Sequence, residues 1–293
     1  MTEFLTALRQ QEFLQIALLA GLLASVACGV VGTYVVVRRI TYIAGGISHC
    51  VLGGLGAAGY LRVVYGWTWL HPLMGAVVAA LLAAVIIGWV SLRAKQREDT
   101  VIGALWAIGM AAGVLFIART PGRSIDLMSY LFGNILLVTR EDLWLLGGLD
   151  VLIVGVGLLF YNQLQAVCFD EEFARLRGLR VEFYYILLLC LTALTVVLLI
   201  SVVGIVLVIA LLTLPVAITG QFCKTLWQMM LASVLLIMGL TTAGLGLSYA
   251  PNLPAGATTV MLAGALYLVV VAVAQASRLC LHRFGRFLAP SSR

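Results

Sequence analysis

Residues 183–219 read FYYILLLCLTALTVVLLISVVGIVLVIALLTLPVAIT, and this stretch decides the fold class. It contains no Asp, Glu, Lys or Arg, and it is far longer than the roughly 20 residues that one upright helix needs to cross a bilayer. Because it also has almost no loop within it, we expect two membrane spans, 183–200 and 202–219. We predict the tight turn between them at Ser201 to Gly204.

The rest of the chain has the same apolar character. Of its 293 residues 63% are hydrophobic and only 10% are charged, and the mean hydropathy is +1.11. A soluble domain carries about 25% charged residues, so a soluble enzyme, a disordered chain and a disulfide-rich secreted module are excluded. We predict an all-α polytopic membrane protein, a single transmembrane domain over 1–293 with about nine spans and a range of eight to ten. The predicted spans are 13–37, 41–65, 69–92, 100–118, 143–161, 183–200, 202–219, 225–249 and 256–276.

The distribution of basic residues predicts the topology. Thirteen of the 18 Lys and Arg residues fall in one set of alternating connections and five in the other. Because Lys and Arg collect in cytoplasmic loops, the N-terminus is predicted outside and the tail, 277–293, inside. The same rule accounts for the net charge of +6 without a nucleic-acid partner. A shorter apolar stretch, 126–138, is predicted to be a re-entrant segment or half-helix.

The longest inner loop, 162–181, is predicted to contain a short amphipathic helix. Its acids precede its bases, as the helix dipole favours, and Phe169, Phe173 and Leu176 recur at about helical spacing. Such a short helix is not stable alone. Its apolar face therefore either lies on the membrane surface or docks into a partner.

Polar residues inside spans are functional candidates, since they are costly in lipid. His49 shares one helix face with Gly45, Gly53 and Gly56, which together form a groove where another helix can approach closely. The imidazole is either a metal ligand or a hydrogen-bond partner of a neighbouring carbonyl. Asp150 lies within the predicted span 143–161. It is either an ion ligand or gate, or an acid bonded to a neighbouring helix or reached by water.

Motifs for phosphate binding or hydrolysis are absent from the sequence. It contains no G-x-x-x-x-G-K-[ST], H-E-x-x-H or G-x-S-x-G. The six cysteines form no C-x-x-C pair, and reduced thiols are expected. Energy for any transport must therefore come from an ion gradient or from another chain.

Five segments in order resemble the integral-membrane permease subunit of bacterial ATP-binding-cassette importers for zinc, manganese or iron. They are distributed along the chain between the first and last spans. The segments are GTYVVVRRITYIAGGISHCVLGG (32–54), DLMSYLFGNILLVTREDL (126–143), FDEEFARLRGL (169–179), VVGIVLVIALLTLPVAIT (202–219) and LGLSYAPNLPAGATTVML (245–262).

The resemblance implies a homodimeric pore in the bacterial cytoplasmic membrane that moves a divalent metal by alternating access. Each subunit would dock on a cytoplasmic ATPase, which binds the ATP, and an extracytoplasmic metal-binding protein would deliver the cargo. This chain would have no catalytic residue and no cofactor of its own. The resemblance makes His49 a pathway ligand and favours docking for the loop helix. The implied ATPase-coupling residues are Phe169, Asp170, Glu172, Phe173, Ala174, Arg175 and Gly178.

One position departs from the family pattern. The family often has Asp four residues before the histidine, where this chain has Gly45. Either another acid, with Asp150 as first candidate, supplies the missing carboxylate, or the metal is held weakly and passed on. Two other functions compete with this one. They are a permease for a metal chelate such as cobalamin or a siderophore, and an ion-gradient carrier or intramembrane enzyme that uses His49 and Asp150.

Overall fold

The computed structural model describes residues 2–93, 98–121, 138–251 and 253–288, and in these residues it is helical without strands. The predicted all-α fold is therefore confirmed. The helices are α1 (Thr2–Gln10), α2 (Glu12–Arg38), α3 (Thr41–Val64), α4 (Pro72–Arg93), α5 (Glu98–Ala118), α6 (Arg140–Leu159), α7 (Tyr161–Phe169), α8 (Glu171–Leu176), α9 (Val181–Val203), α10 (Ile205–Thr219), α11 (Leu226–Tyr249) and α12 (Ala255–Leu288).

Eight helices of the described residues are long and apolar enough to cross a membrane: α2, α3, α4, α5, α6, α9, α11 and α12. A ninth apolar helix, α10, is shorter. Each of the nine predicted spans overlaps one of these nine helices, although the bounds differ by a few residues. The last helix continues to Leu288, well into the predicted tail. All but the last residue of the predicted half-helix, 126–138, lies outside the described residues.

A single residue separates α9 from α10, inside the apolar stretch where the sequence predicts a turn. Gly204 has φ 88° and ψ 163°, a backbone conformation that side chains with a Cβ rarely adopt, and its N–H donates to the Ile200 carbonyl (3.1 Å). The 15 residues of α10 extend about 22 Å. This length is less than a full bilayer crossing, whereas α9 is long enough to cross by itself. The two helices form a discontinuous pair that is interrupted at Gly204.

Helix α2 lies in the core of the bundle and packs against α6, α9, α10 and α11. Its glycines allow close approach: a Cβ on Gly29 would lie 2.5 Å from Val234 Cγ2 of α11, and one on Gly32 would lie 2.6 Å from the Leu212 carbonyl oxygen of α10. Tyr34 is fully buried and donates its hydroxyl to the Gly157 carbonyl of α6 (3.0 Å). These contacts leave little freedom to α2.

Helices α3 and α5 pack through their glycine faces. A Cβ on Gly53 would lie 2.9 Å from the Gly109 carbonyl oxygen, and one on Gly56 would lie 2.8 Å from the Gly113 carbonyl oxygen. The face that the sequence predicts as a groove thus lies against α5 along most of its length. Gly45, at its other end, faces both α5 and α10.

Candidate functional site

His49 lies at the junction of α3, α5 and α10. Its side chain is 9% exposed, and its ring lies parallel to the indole of Trp106 on α5, with centroids 4.2 Å apart and planes 12° apart. Its Nδ1 atom is buried and has no hydrogen-bond partner. Since buried polar atoms are almost always paired, this nitrogen is available to a ligand from outside the chain.

Gly45, one helical turn from His49, has little free space at the position of a Cβ atom. A Cβ there would lie 2.8 Å from Ile209 Cδ1 of α10 and 3.8 Å from Trp106 Cζ3. An apolar side chain and an aromatic ring therefore line the side of His49 where an acid at position 45 would project.

Asp150 lies elsewhere, between α6 and α2. It is 7% exposed, and its Oδ1 accepts a hydrogen bond from the backbone N–H of Ala27 (3.0 Å). The carboxylate thus holds two helices together, which is one of the two alternatives that the sequence leaves open.

The structure does not bring the two predicted metal ligands together. His49 is in contact with α5, whereas Asp150 bonds to α2. Among the described residues, no group of three or more His, Cys, Asp or Glu side chains could hold a metal ion. A metal at His49 would therefore have few protein ligands from one copy of the chain. The metal role of Asp150 stays a prediction.

The predicted amphipathic helix of the loop 162–181 is α8. Asp170 caps it, because its Oδ1 accepts the N–H of Phe173 (3.0 Å). The helix ends where Gly178 adopts φ 77° and Leu179 donates its N–H to the Ala174 carbonyl (3.1 Å). Asp170 and Gly178, both predicted as coupling residues, thus define the two ends of this helix.

The coupling residues predicted in α8 and at the end of α7 divide into an exposed and a buried group. Phe169 and Phe173 are 64% and 48% exposed, and Glu172 and Arg175 are exposed too. Ala174 differs from the others: it is fully buried against Val167 and Val181, and its coupling role stays a prediction. With Leu176, which is 86% exposed, the two phenylalanines form an outward apolar surface that we call the α8 patch (Phe169, Phe173 and Leu176).

An ion pair connects α8 to the end of α2. The Arg38 guanidinium pairs with the Glu171 carboxylate and also lies over the Tyr185 ring of α9, 5.6 Å from its centroid. Next to this pair, burial raises the pKa of the Cys168 thiol to about 12, although the charge of Arg38 acts in the opposite direction. Cys168 is therefore a neutral packing group. At the far end of α2, Glu12 pairs with Arg140 of α6 (2.5 Å).

Comparison with known proteins assigns the family. Residues 10–274 match the ABC 3 transport family. The chain belongs to the ABC 3 transport family. Its resemblance to the integral-membrane permease subunit of metal-importing ATP-binding-cassette systems is therefore confirmed.

Members of this family resemble the chain over nearly its whole length. An uncharacterised membrane protein of Synechocystis is 42% identical over 93% of this chain and 94% of its own length. The manganese import system permease protein ScaB of Streptococcus gordonii is 32% identical over 94% and 96%. A structure of PsaBC from Streptococcus pneumoniae in complex with Fab superposes with a TM-score of 0.82 at 32% identity, over 92% of this chain and 94% of that one.

The sequence alone does not indicate two residues of the sites described above, Trp106 and Arg38. Trp106 lies only six residues into a predicted span, where a tryptophan usually indicates the membrane interface. Arg38 counts in the sequence as one more positive residue on the inner side. Neither pattern shows the ring stack or the pairing with Glu171, because both contacts join segments far apart in the chain.

Proposed function

We propose that this chain is the membrane permease of an ATP-driven importer for a divalent transition-metal cation, with manganese as first candidate. The single observation that carries the proposal is the buried His49 imidazole, whose Nδ1 has no partner inside a membrane span. An ionisable group in such a position is a functional site by default. Relatives of similar length are named manganese permeases, which favours manganese over zinc and iron.

The surroundings of His49 suit a cation that passes through rather than stays. Imidazole nitrogen is a ligand for first-row transition metals, but Gly45 and Ile209 contribute no charge beside it. A site of few ligands holds its ion weakly, and conduction requires release as much as capture. We infer that the metal is passed on by alternating access and is not stored.

The discontinuous pair α9–α10 supports the same location. Transporters build their substrate sites where helices are interrupted within the membrane. Here the break at Gly204 lies five residues before Ile209, which contacts the Gly45 position. A break at this point lets α10 move relative to α9 without unfolding either helix, and such a movement would change the space beside His49.

The α8 patch is proposed as the contact with a cytoplasmic ATPase. Its exposed apolar side chains are flanked by the charged Glu172 and Arg175. An apolar anchor with a polar rim is typical of protein interfaces. We infer that Arg38, through Glu171, passes the movement of α8 to α2. The Asp150 contact then connects α2 with α6.

The proposed assembly has two copies of the chain around one pore, one ATPase docked on each, and an extracytoplasmic binding protein that delivers the metal. The chain itself binds no cofactor, and ATP lies on the partner. The excess of Lys and Arg in one set of connections supports an outside N-terminus and an inside C-terminus in the cytoplasmic membrane.

The variant His49→Ala tests the proposal. In vesicles containing the whole importer, we expect uptake of manganese to fall about tenfold or more, because a site ligand is lost. The matched control is His71→Ala, since His71 is exposed at the start of α4. Uptake by His49→Ala at the rate of the control would refute a pathway through this residue.

A further inference from the structure

The stack of His49 on Trp106 fixes the orientation of the imidazole. The two rings are almost parallel at 4.2 Å, a separation at which neither can rotate without losing contact. Trp106 is itself half-buried, and the Tyr42 ring lies 6.3 Å from it. The imidazole plane is thus set by a side chain of a neighbouring helix.

No hydrogen bond to Nδ1 fixes the orientation of the His49 imidazole. Nδ1, the nitrogen available to a metal, is buried without a partner, so the ring is not oriented through this atom. The backbone around the ring is held instead by close packing: a Cβ on Gly46 would lie 2.5 Å from Ile102 Cγ2, and one on Gly109 would lie 2.6 Å from Cys50 Cα. The junction of α3 and α5 is rigid enough to keep the stack in place.

Trp106 also lies next to the position that a side chain at residue 45 would take beside the imidazole. Its Cζ3 atom would lie 3.8 Å from a Cβ on Gly45, and Ile209 Cδ1 would lie closer still, at 2.8 Å. A side chain at position 45 would therefore be in ordinary contact with the indole, and only the flexible end of Ile209 would have to shift. The ring face of an indole attracts cations through its quadrupole, so the aromatic neighbour is compatible with a passing cation.

We propose that Trp106 is the positioning residue of the metal pathway: it sets the plane of the His49 imidazole through the ring stack. The cation is then held by one nitrogen beside an aromatic face. This inference rests on the proposed function of His49. We expect Trp106 to affect the affinity of the site for metal and not the rate of the conformational cycle.

The first test measures manganese uptake against concentration in vesicles with the complete importer. For Trp106→Ala we expect the half-saturating manganese concentration to rise about 10- to 100-fold, as for other residues that orient a metal ligand, with the maximal rate unchanged. Trp106→Phe keeps a ring that can stack and should remain near wild type. The matched control is Trp144→Ala, because Trp144 is 86% exposed on α6.

The kinetic outcomes separate this inference from the proposed function. An unchanged half-saturating concentration for Trp106→Ala, with His49→Ala impaired, overturns the role of Trp106 alone. Equal losses for Trp106→Ala and Trp106→Phe also overturn it, since stacking would then not be the property that matters. Normal uptake by His49→Ala overturns both.

A second test does not depend on Trp106→Ala folding. Manganese is paramagnetic and quenches an indole that it approaches closely, so manganese ions added to the purified chain should quench part of its tryptophan fluorescence. We expect this component to disappear in Trp106→Phe and in His49→Ala, and to persist in Trp144→Phe. Quenching of equal size in wild type and Trp106→Phe would contradict the proposal.

Discussion

Asp150 makes a contact between two helices that needs no bound metal. Its Oδ1 accepts the Ala27 N–H at 3.0 Å, at a buried contact between α6 and α2. A neutral amide oxygen can accept the same bond, whereas an aliphatic side chain cannot. Substitution by Asn removes the charge and keeps the hydrogen bond, whereas substitution by Leu removes both.

We expect Asp150→Asn to keep both the thermal stability and the metal uptake of the wild type. Asp150→Leu should lose about 1 kcal/mol of stability, because the buried contact between α6 and α2 loses its hydrogen bond. Thermal unfolding in detergent and uptake in vesicles measure the two effects. An Asp150→Asn variant that unfolds normally but no longer transports would instead show that this acid supplies the carboxylate absent at Gly45.

At the scale of single residues, the sequence predicts the candidate functional residues better than it predicts their neighbours in the structure. His49 and Asp150 are recognisable because polar groups in spans are rare. Their neighbours are not, since Trp106 and Ala27 come from helices far along the chain and have ordinary patterns of their own. The departure at Gly45 is visible in the sequence, but the side chains that fill its space are a property of the packed helices.

At the scale of elements, α8 shows a predicted helix whose exposed face differs in one residue from the prediction. The order of acids and bases and the spacing of Phe169 and Phe173 predict both the helix and its apolar side. They do not show that Ala174 faces the chain itself, because that depends on where α7 and α9 lie. The break at Gly204 was easier to predict, since the length of an uninterrupted apolar segment is limited by the thickness of the bilayer.

The exposed and buried residues of α8 predict different outcomes for the same substitution. Phe173→Asp should reduce co-purification of the ATPase by about tenfold or more, as expected for an interface anchor, without changing the thermal stability of the chain. Ala174→Asp should lower that stability, because it places a charge in a closed apolar contact.

Leu253→Asp is the control for both variants, because Leu253 is 55% exposed in the connection before α12, at the other end of the bundle from α8. We expect this variant to bind the ATPase as the wild type does. Undiminished binding by Phe173→Asp, measured by co-purification from detergent, would rule out the α8 patch as the docking surface.

At the scale of the whole molecule, the number of crossings depends on the short helix α10. If α10 crosses the membrane back to the inner side, the connection 220–225 lies inside and the connection 65–71 lies outside. If it turns back to the outer side, where α9 ends, 220–225 lies outside as well. Lys224 in the first of these connections favours the inside.

Labelling with a membrane-impermeant maleimide decides between the two topologies. Two single-cysteine variants are needed, one retaining Cys223 and the other carrying Thr68→Cys. In sealed vesicles of native orientation we expect Thr68→Cys to react and Cys223 to react only after permeabilisation. Reaction of both before permeabilisation would show that α10 does not complete a crossing.

The central claim is that this chain moves a divalent metal with energy taken from a separate ATPase. The most direct measurement is manganese accumulation in sealed vesicles that contain the chain with or without its ATPase, in the presence and absence of ATP. We predict accumulation only when both the ATPase and ATP are present. Accumulation by the chain alone, driven by an ion gradient, would contradict the account.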